Sequence, residues 1–267
     1  LGLVQAWIVK VLWDGVGQGP ADREARRRGK AYKLLARIGE LSDGQAGLLL
    51  LRNCASYAKL MYNIRTSPAQ DIVSELDKFD DDVRNCFVAL MQLAPDDRAW
   101  ARAQRATGVG GLGLRSVSRH ANAAFVASAI GTSELQRSIW SLSPADILTE
   151  PSVRVAFDAL EPLIPRVMMP SLVSGVTFPH EQVSRAIDRG LADAELMDPT
   201  TPDHLKAHLQ LTTVVGADDW LHASPSRDSV SVMEPALFRL AVARRLPLQL
   251  LADIATSPCL DSGMAAA

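Results

Sequence analysis

Residues 72–90 read Ile72-Val-Ser-Glu-Leu-Asp-Lys-Phe-Asp-Asp-Asp-Val-Arg-Asn-Cys-Phe-Val-Ala-Leu90. Ile72, Leu76, Phe79, Val83, Phe87 and Leu90 recur in it at steps of three and four, which draws a continuous apolar stripe down one side of a helix. Pro68 opens this helix and ends the one before. Upstream, Ser42 to Arg65 predicts a long helix with Ser42 or Asp43 as its N-cap. Leu50, Cys54, Tyr57, Met61 and Ile64 would share its apolar face, with Arg52, Ser56, Lys59 and Asn63 on the other. Downstream, a short helix from Pro95 to about Ala106 is anchored by Trp100. A glycine-rich turn, Thr107 to Gly113, leads to a helix capped by Ser116, on which Val117, Ala121, Ala124, Phe125 and Ser128 permit close backbone packing.

Proline density then rises, with Pro144, Pro151, Pro162, Pro165, Pro170 and Pro179. Each removes a backbone donor and disfavours helix just before it, so Ser141 to Pro179 reads as short helices broken by turns and as the domain boundary. Helices follow from Glu181 to about Met197, from Pro202 with Thr201 as cap, and from Pro235 to Leu246. No βα alternation occurs, no strand-like run exceeds Leu211 to Val215, and no internal repeat is found. The expectation is a mainly α chain: an irregular leader over 1–30, a helical bundle over 31–140, a proline-rich linker over 141–179 and a smaller helical subdomain over 180–267. Both ends read as cut. Leu1 to Trp13 is apolar but lacks the basic leader and cleavage site of a signal peptide, and the tail carries no helix stop.

The chain has 267 residues, 48% hydrophobic and 22% charged, enough to bury a core without disulfides. Net charge is −2, so any nucleic-acid contact must come from a local basic face. Cys54, Cys86 and Cys259 are odd in number and far apart, which points to a reducing, intracellular compartment, nuclear or cytoplasmic. No apolar run reaches the roughly 20 residues of a membrane span.

Several motifs invite chemistry. Gly108-Val-Gly110-Gly111-Leu-Gly113 satisfies the dinucleotide string G-x-G-x-x-G, but a helix rather than a strand precedes it, and Glu134 stands at the acidic position with no second strand. A turn that lets two helices pass closely is the better account. His204 and His208 have the i, i+4 spacing of a zinc pair, yet Leu205 occupies the place of the general-base glutamate. Asp218-Asp219 after Thr213-Val214-Val215 mimics a polymerase palm signature. Two-metal chemistry needs further carboxylates, and the only other acidic run, Asp80 to Asp82, has helical spacing. No catalytic residue, metal site or cofactor is expected. Arg23, Arg26, Arg27, Arg28, Lys30, Lys33 and Arg37 crowd one segment, either as a solvated helix face or as phosphate contacts.

The run Leu50-Leu51-Arg52-Asn53-Cys54-Ala55-Ser56-Tyr57-Ala58-Lys59-Leu60 is followed by Arg65-Thr66, Phe79-Asp80, Val83-Arg84, Cys86-Phe87 and Trp100. Then come Gly110-Gly111-Leu112-Gly113-Leu114-Arg115-Ser116, His120-Ala121 and Ala123-Ala124-Phe125. This order resembles the region just after the palm in reverse transcriptases of non-LTR (LINE-type) retroelements, over roughly Ala31 to Ile130. More faintly, Trp220-Leu221 with Pro225, and Glu234-Pro235 with Phe238, Ala241, Arg245 and Leu246, fit that family's W-L-x-x-x-P turn and E-P-x-x-F-x-x-A-x-x-x-R-L helix. Two features depart from the pattern. Nothing before Ala31 resembles the palm, and where the family often has a Cys/His zinc knuckle only Cys259 stands.

The resemblance implies a thumb and connection segment that grips a template–primer duplex by its backbone, beside a polymerase palm located elsewhere. Arg52, Lys59, Arg65, Arg115 and Arg119 are the candidate nucleic-acid-binding residues. Arg52 and Lys59 lie seven residues apart and so on one side of a helix, and Arg115 stands just before a helix N-terminus that could meet a phosphate. The rival reading is a stand-alone helical protein-interaction scaffold. Another is a degenerate product without selected function.

Overall fold

The computed structural model describes residues 20–140, 144–165, 179–226 and 231–248, and no strand occurs among them. Residues 1–19 of the expected leader, the tail with Cys259, and the side chains of Arg23, Arg26, Arg27, Arg28 and Lys30 lie outside the described part, whereas residues 20–30, expected to be irregular, are helical. The chain is mainly helical, as its apolar periodicity predicts.

The first helices are α1 (Pro20–Gly39), α2 (Gly44–Leu50), α3 (Tyr57–Thr66), α4 (Val73–Met91) and α5 (Asp97–Ala103). Helix α4 is the hub. Ile72 just before it and its Leu76, Phe79, Val83, Phe87 and Leu90 are all at most 3% exposed, so the whole predicted stripe is core. Around it close α1 and α2. Cys86 Sγ donates to the Leu35 carbonyl at 3.2 Å, and an added Cβ on Gly47 would lie 2.5 Å from Leu90 Cδ1. Glycine there permits the close approach of α2 to α4.

The single helix expected over Ser42 to Arg65 is not formed. After α2, Leu51–Ala55 winds as a π-helical turn, with Ser56 N–H donating to Leu51 O at 2.9 Å. One extra residue per turn rotates everything downstream by about 100°. Leu50 just before the turn and Cys54 within it, which were expected inside, are exposed. After the turn Ser56 and Asn63, expected on the polar face, are buried, while Tyr57 and Ile64 are core as expected and Leu60 joins them. Arg52 and Lys59 therefore do not share a face.

Next come α6 (Val117–Gly131), α7 (Ser133–Trp140), α8 (Pro144–Thr149) and α9 (Pro151–Leu160). The chain then continues through α10 (His180–Met197), α11 (Asp203–Leu211), α12 (Asp219–His222) and α13 (Pro235–Arg245). Helix α6 begins as predicted, its Arg119 N–H held by Ser116 Oγ at 3.0 Å. Its alanines serve two sides. Val117, Ala121 and Ala124 belong to the main core with α1 to α5, while Ala123, Val126 and Ala127 belong to a second cluster with Ala156, Leu160, Ile164, Val183 and Ile187.

That arrangement crosses the expected division of the chain, and residues 141–143 and 166–178 of the expected linker lie outside the described part. Within the presumed linker, α9 lays Val153, Ala156 and Leu160 into buried positions, with Pro151 at its first turn, where the missing donor costs nothing. The presumed C-terminal subdomain returns Leu221, Phe238, Val242, Ala243 and Leu246 to the N-terminal core. Pro144, Pro151 and Pro162 each stand in the first turn of a helical segment.

Candidate nucleic-acid interface

The glycine turn is built by hydrogen bonds that point inward. Thr107–Val109 forms a 3-10 turn, and Gly110 and Gly113 have φ of 86° and 77°, the left-handed region that glycine adopts without strain. The N–H groups of Gly110, Gly111, Leu112, Gly113 and Leu114 all donate to carbonyls of residues 103–107. None is left to cradle a phosphate, and helix α5 rather than a strand precedes the turn, so the dinucleotide reading fails on geometry. Outside the turn, Arg245 of α13 donates to Gly111 O at 2.9 Å, Thr107 O at 2.6 Å and Ala217 O at 3.0 Å. Beneath it Glu195 pairs with both Arg102 and Arg105 at 2.7 Å. The Glu234–Leu246 stretch thus clamps the turn that bears Arg115.

Three of the five candidate cations are engaged or enclosed. Arg52 is half-buried and donates through Nη2 to Leu221 O at 2.9 Å, while its Nη1 is buried without a partner. Burial lowers its basicity, opposed by nearby Asp218. Arg115 Nε donates to Asp188 Oδ2 at 3.0 Å. Arg119 is partly enclosed, and burial lowers its basicity ahead of the opposing field of Asp80. The α6 N-terminus does not await a phosphate, because Asp80 already occupies it. The Asp80 carboxylate accepts from Ser116 Oγ at 2.5 Å, Val117 N at 2.8 Å and Ser118 N at 3.2 Å. A resident anion fills the site that the helix dipole would otherwise offer. Lys59 and Arg65, by contrast, are exposed on α3.

Sequence reasoning missed a buried polar network between α3, α6 and α10. Asp188, 1% exposed, receives Arg115 and lies 3.4 Å from His120 Nε2. Tyr57 Oη sits 2.7 Å from His180 Nε2, which also meets Ser184 Oγ at 3.2 Å. Burial pushes His180 down to about 4 and lowers His120 as well, so both rings are neutral at pH 7. Ser184 is fully buried and no substrate could reach it, so the Ser–His pair is a packing bond. The signal in the sequence was the i, i+4 rhythm His180, Ser184, Asp188 running alongside the apolar Val183 and Ile187 on one helix.

The remaining motifs resolve individually. Asp218 meets His222 Nε2 at 3.2 Å and has its pKa lowered chiefly by a Thr107 hydrogen bond, so it ties α12 to the glycine turn. His204 and His208 stand on α11, and no group of three or more His, Cys, Asp or Glu that could hold a metal occurs among the described residues. A groove of about 910 Å³ between the glycine turn and α10 carries Arg115, Arg185 and Arg189 against Glu181, Asp188 and Asp193, so it has no net sign. No helix among the described residues is long and apolar enough to cross a membrane. No family model, curated protein or solved structure matches the chain.

Proposed function

We propose that this chain is a non-catalytic, post-palm helical region of a reverse-transcriptase-like (RNA-directed DNA polymerase) protein of the non-LTR retroelement type. In that role it grips template–primer through the phosphate backbone. The observation that supports this reading is the Arg245 clamp. The two stretches that resemble the family are far apart in the chain, and Arg245 of the second joins the first through hydrogen bonds to Gly111 O and Thr107 O. The gripping face is smaller than the five cations first considered. Arg52 and Arg115 serve internal bonds, and Lys59 and Arg65 are left to face a polyanion.

Backbone contacts carry affinity and salt sensitivity without sequence readout. Two phosphates neutralised on B-DNA correspond to a log–log salt slope of about −2. Titrating the chain with unrelated blunt-ended duplexes at several salt concentrations should return that slope. Charge reversal in Lys59→Glu/Arg65→Glu should abolish it. A parent chain without salt-dependent duplex binding, or a double variant that binds equally well, overturns the grip.

A second reading, the helical interaction scaffold, draws on one feature. Leu135 and Ile139 stand one turn apart on α7, 61% and 56% exposed. An apolar pair presented to solvent in this way fits a helix-docking partner.

A further inference from the structure

The outer face of α3 carries an aromatic side chain beside its cations. Tyr62 is 70% exposed, one of the most open large side chains among the described residues. It stands at i+3 from Lys59 and i−3 from Arg65, both exposed. At 3.6 residues per turn the three fall within about 120° of arc, and the two cations are separated by about 9 Å along the axis. The surrounding sequence has one sign of charge. From Gly44 to Gln70 there is no aspartate or glutamate, and the three charged residues are Arg52, Lys59 and Arg65. Among the described residues neither Lys59 nor Arg65 forms a salt bridge. An exposed phenol ring flanked by two cations, in a stretch without acids, combines a stacking surface with two phosphate contacts.

We infer that the Lys59–Tyr62–Arg65 stripe is a binding site for single-stranded nucleic acid, with a base stacked on Tyr62 and the flanking phosphates on Lys59 and Arg65. The inference rests on the nucleic-acid reading above for the class of ligand, and goes beyond it in naming unpaired strand rather than duplex. A duplex hides its base faces in the stack and presents only phosphates, so Tyr62 would be idle against it. An unpaired strand can offer one base to the ring, and such stacking tolerates any sequence. An acidic peptide would engage the two cations and leave the ring without a role.

Fluorescence anisotropy of the full chain with labelled oligothymidylate, oligouridylate and a blunt-ended DNA duplex tests this. Tyr62→Ala should weaken both single strands about tenfold and leave the duplex within about twofold, whereas Tyr62→Phe, which keeps the ring, should bind as the parent does. Lys59→Glu/Arg65→Glu should weaken single strands as well. The stacking site is overturned by a Tyr62→Ala chain that binds single strands as tightly as the parent or loses duplex and single strand equally. It is also overturned by polyglutamate of equal charge displacing the oligonucleotide just as well. The two readings separate cleanly. Tyr62-dependent single-strand binding without a salt-dependent duplex interaction sinks the duplex grip and leaves the stripe standing. Duplex binding that ignores Tyr62, with no preference for single strands, does the reverse.

Discussion

A methyl group added to Gly111 would reach 2.1 Å from the Arg105 carbonyl oxygen and 2.8 Å from that of Arg102. Both are backbone atoms in a segment that Arg245 and Glu195 hold from either side, so neither can retreat cheaply. Gly111→Ala should cost about 3 kcal/mol or more in urea unfolding, the range reserved for backbone and overpacking faults. Gly108, in the same turn, has nothing within 4 Å of its added Cβ, and Gly108→Ala should stay within about 0.5 kcal/mol. Equal losses at the two glycines would refute the clamp. Titration gives a second test at this scale. Burial raises Asp80 from 3.8 to about 6 despite its three hydrogen bonds. The folded state therefore holds a proton that the unfolded chain gives up. The stabilisation from that group is complete below about pH 3.8 and lost as pH rises through about 6. His180 is lowered from 6.5 to about 4, so its contribution is complete above about pH 6.5 and lost as pH falls through about 4. The two slopes oppose each other over nearly the same window. Between pH 4 and 6, Asp80→Asn should make stability rise more steeply with pH than in the parent, and His180→Gln should make it rise less. Matching profiles for all three chains would remove both assignments.

The π-helical turn at Leu51–Ala55 acts at the scale of the element, because it sets which side of α3 is core. Deleting exposed Asn53 would restore ordinary helical pitch and turn Tyr57, Leu60 and Ile64 away from the core by about 100°. The deletion should cost about 4 kcal/mol or more by thermal or urea unfolding. Full stability would show that the extra residue is dispensable. Such a turn is invisible to a periodicity argument. The stretch Leu48 to Leu51 is apolar on every side, so it fits a helix in any phase and cannot report a shift of one residue. In contrast, α4 was legible residue by residue, since its stripe alternates with Asp77, Lys78, Asp81 and Arg84 and tolerates no other phase. The Ser116 cap was legible for a similar reason, a hydroxyl directly before a run of helix formers. What occupies the α6 N-terminus was not, because Asp80 lies 36 positions from Ser116 and only the packing of α4 on α6 brings them together. Arg52 and Arg115 were singled out by the resemblance and by their local spacing. Their inward bonds to Leu221 O and Asp188 depend on segments far along the chain.

At the scale of the molecule, α6 decides whether the chain behaves as one unit or two. Two apolar clusters lie on opposite sides of its alanines, and α13 carries the chain back to the first cluster after α10 has closed the second. Small side chains let helices on both sides approach closely, so neither cluster can open without stripping one face of α6. The buried network reinforces this coupling. Asp188 and His180 on α10 are tied to Arg115 and His120 at α6 and to Tyr57 on α3. Opening the second cluster would leave those groups without partners, and unpaired buried polar groups cost about 1–3 kcal/mol each. Leu160→Ala in the second cluster and Phe87→Ala in the first should each destabilise by about 2–5 kcal/mol. Both should lower the midpoint of a single calorimetric transition, with van't Hoff and calorimetric enthalpies in agreement. Two independent units would instead split the trace, Leu160→Ala moving only one peak and Phe87→Ala only the other. The single transition has a consequence for the Lys59–Tyr62–Arg65 stripe. Helix α3 rests on α6, so Leu160→Ala should raise the unfolded fraction at elevated temperature and reduce oligothymidylate binding there. At a temperature where the chain is fully folded, affinity should match the parent, because Leu160 is buried on the far side of α6 from the stripe.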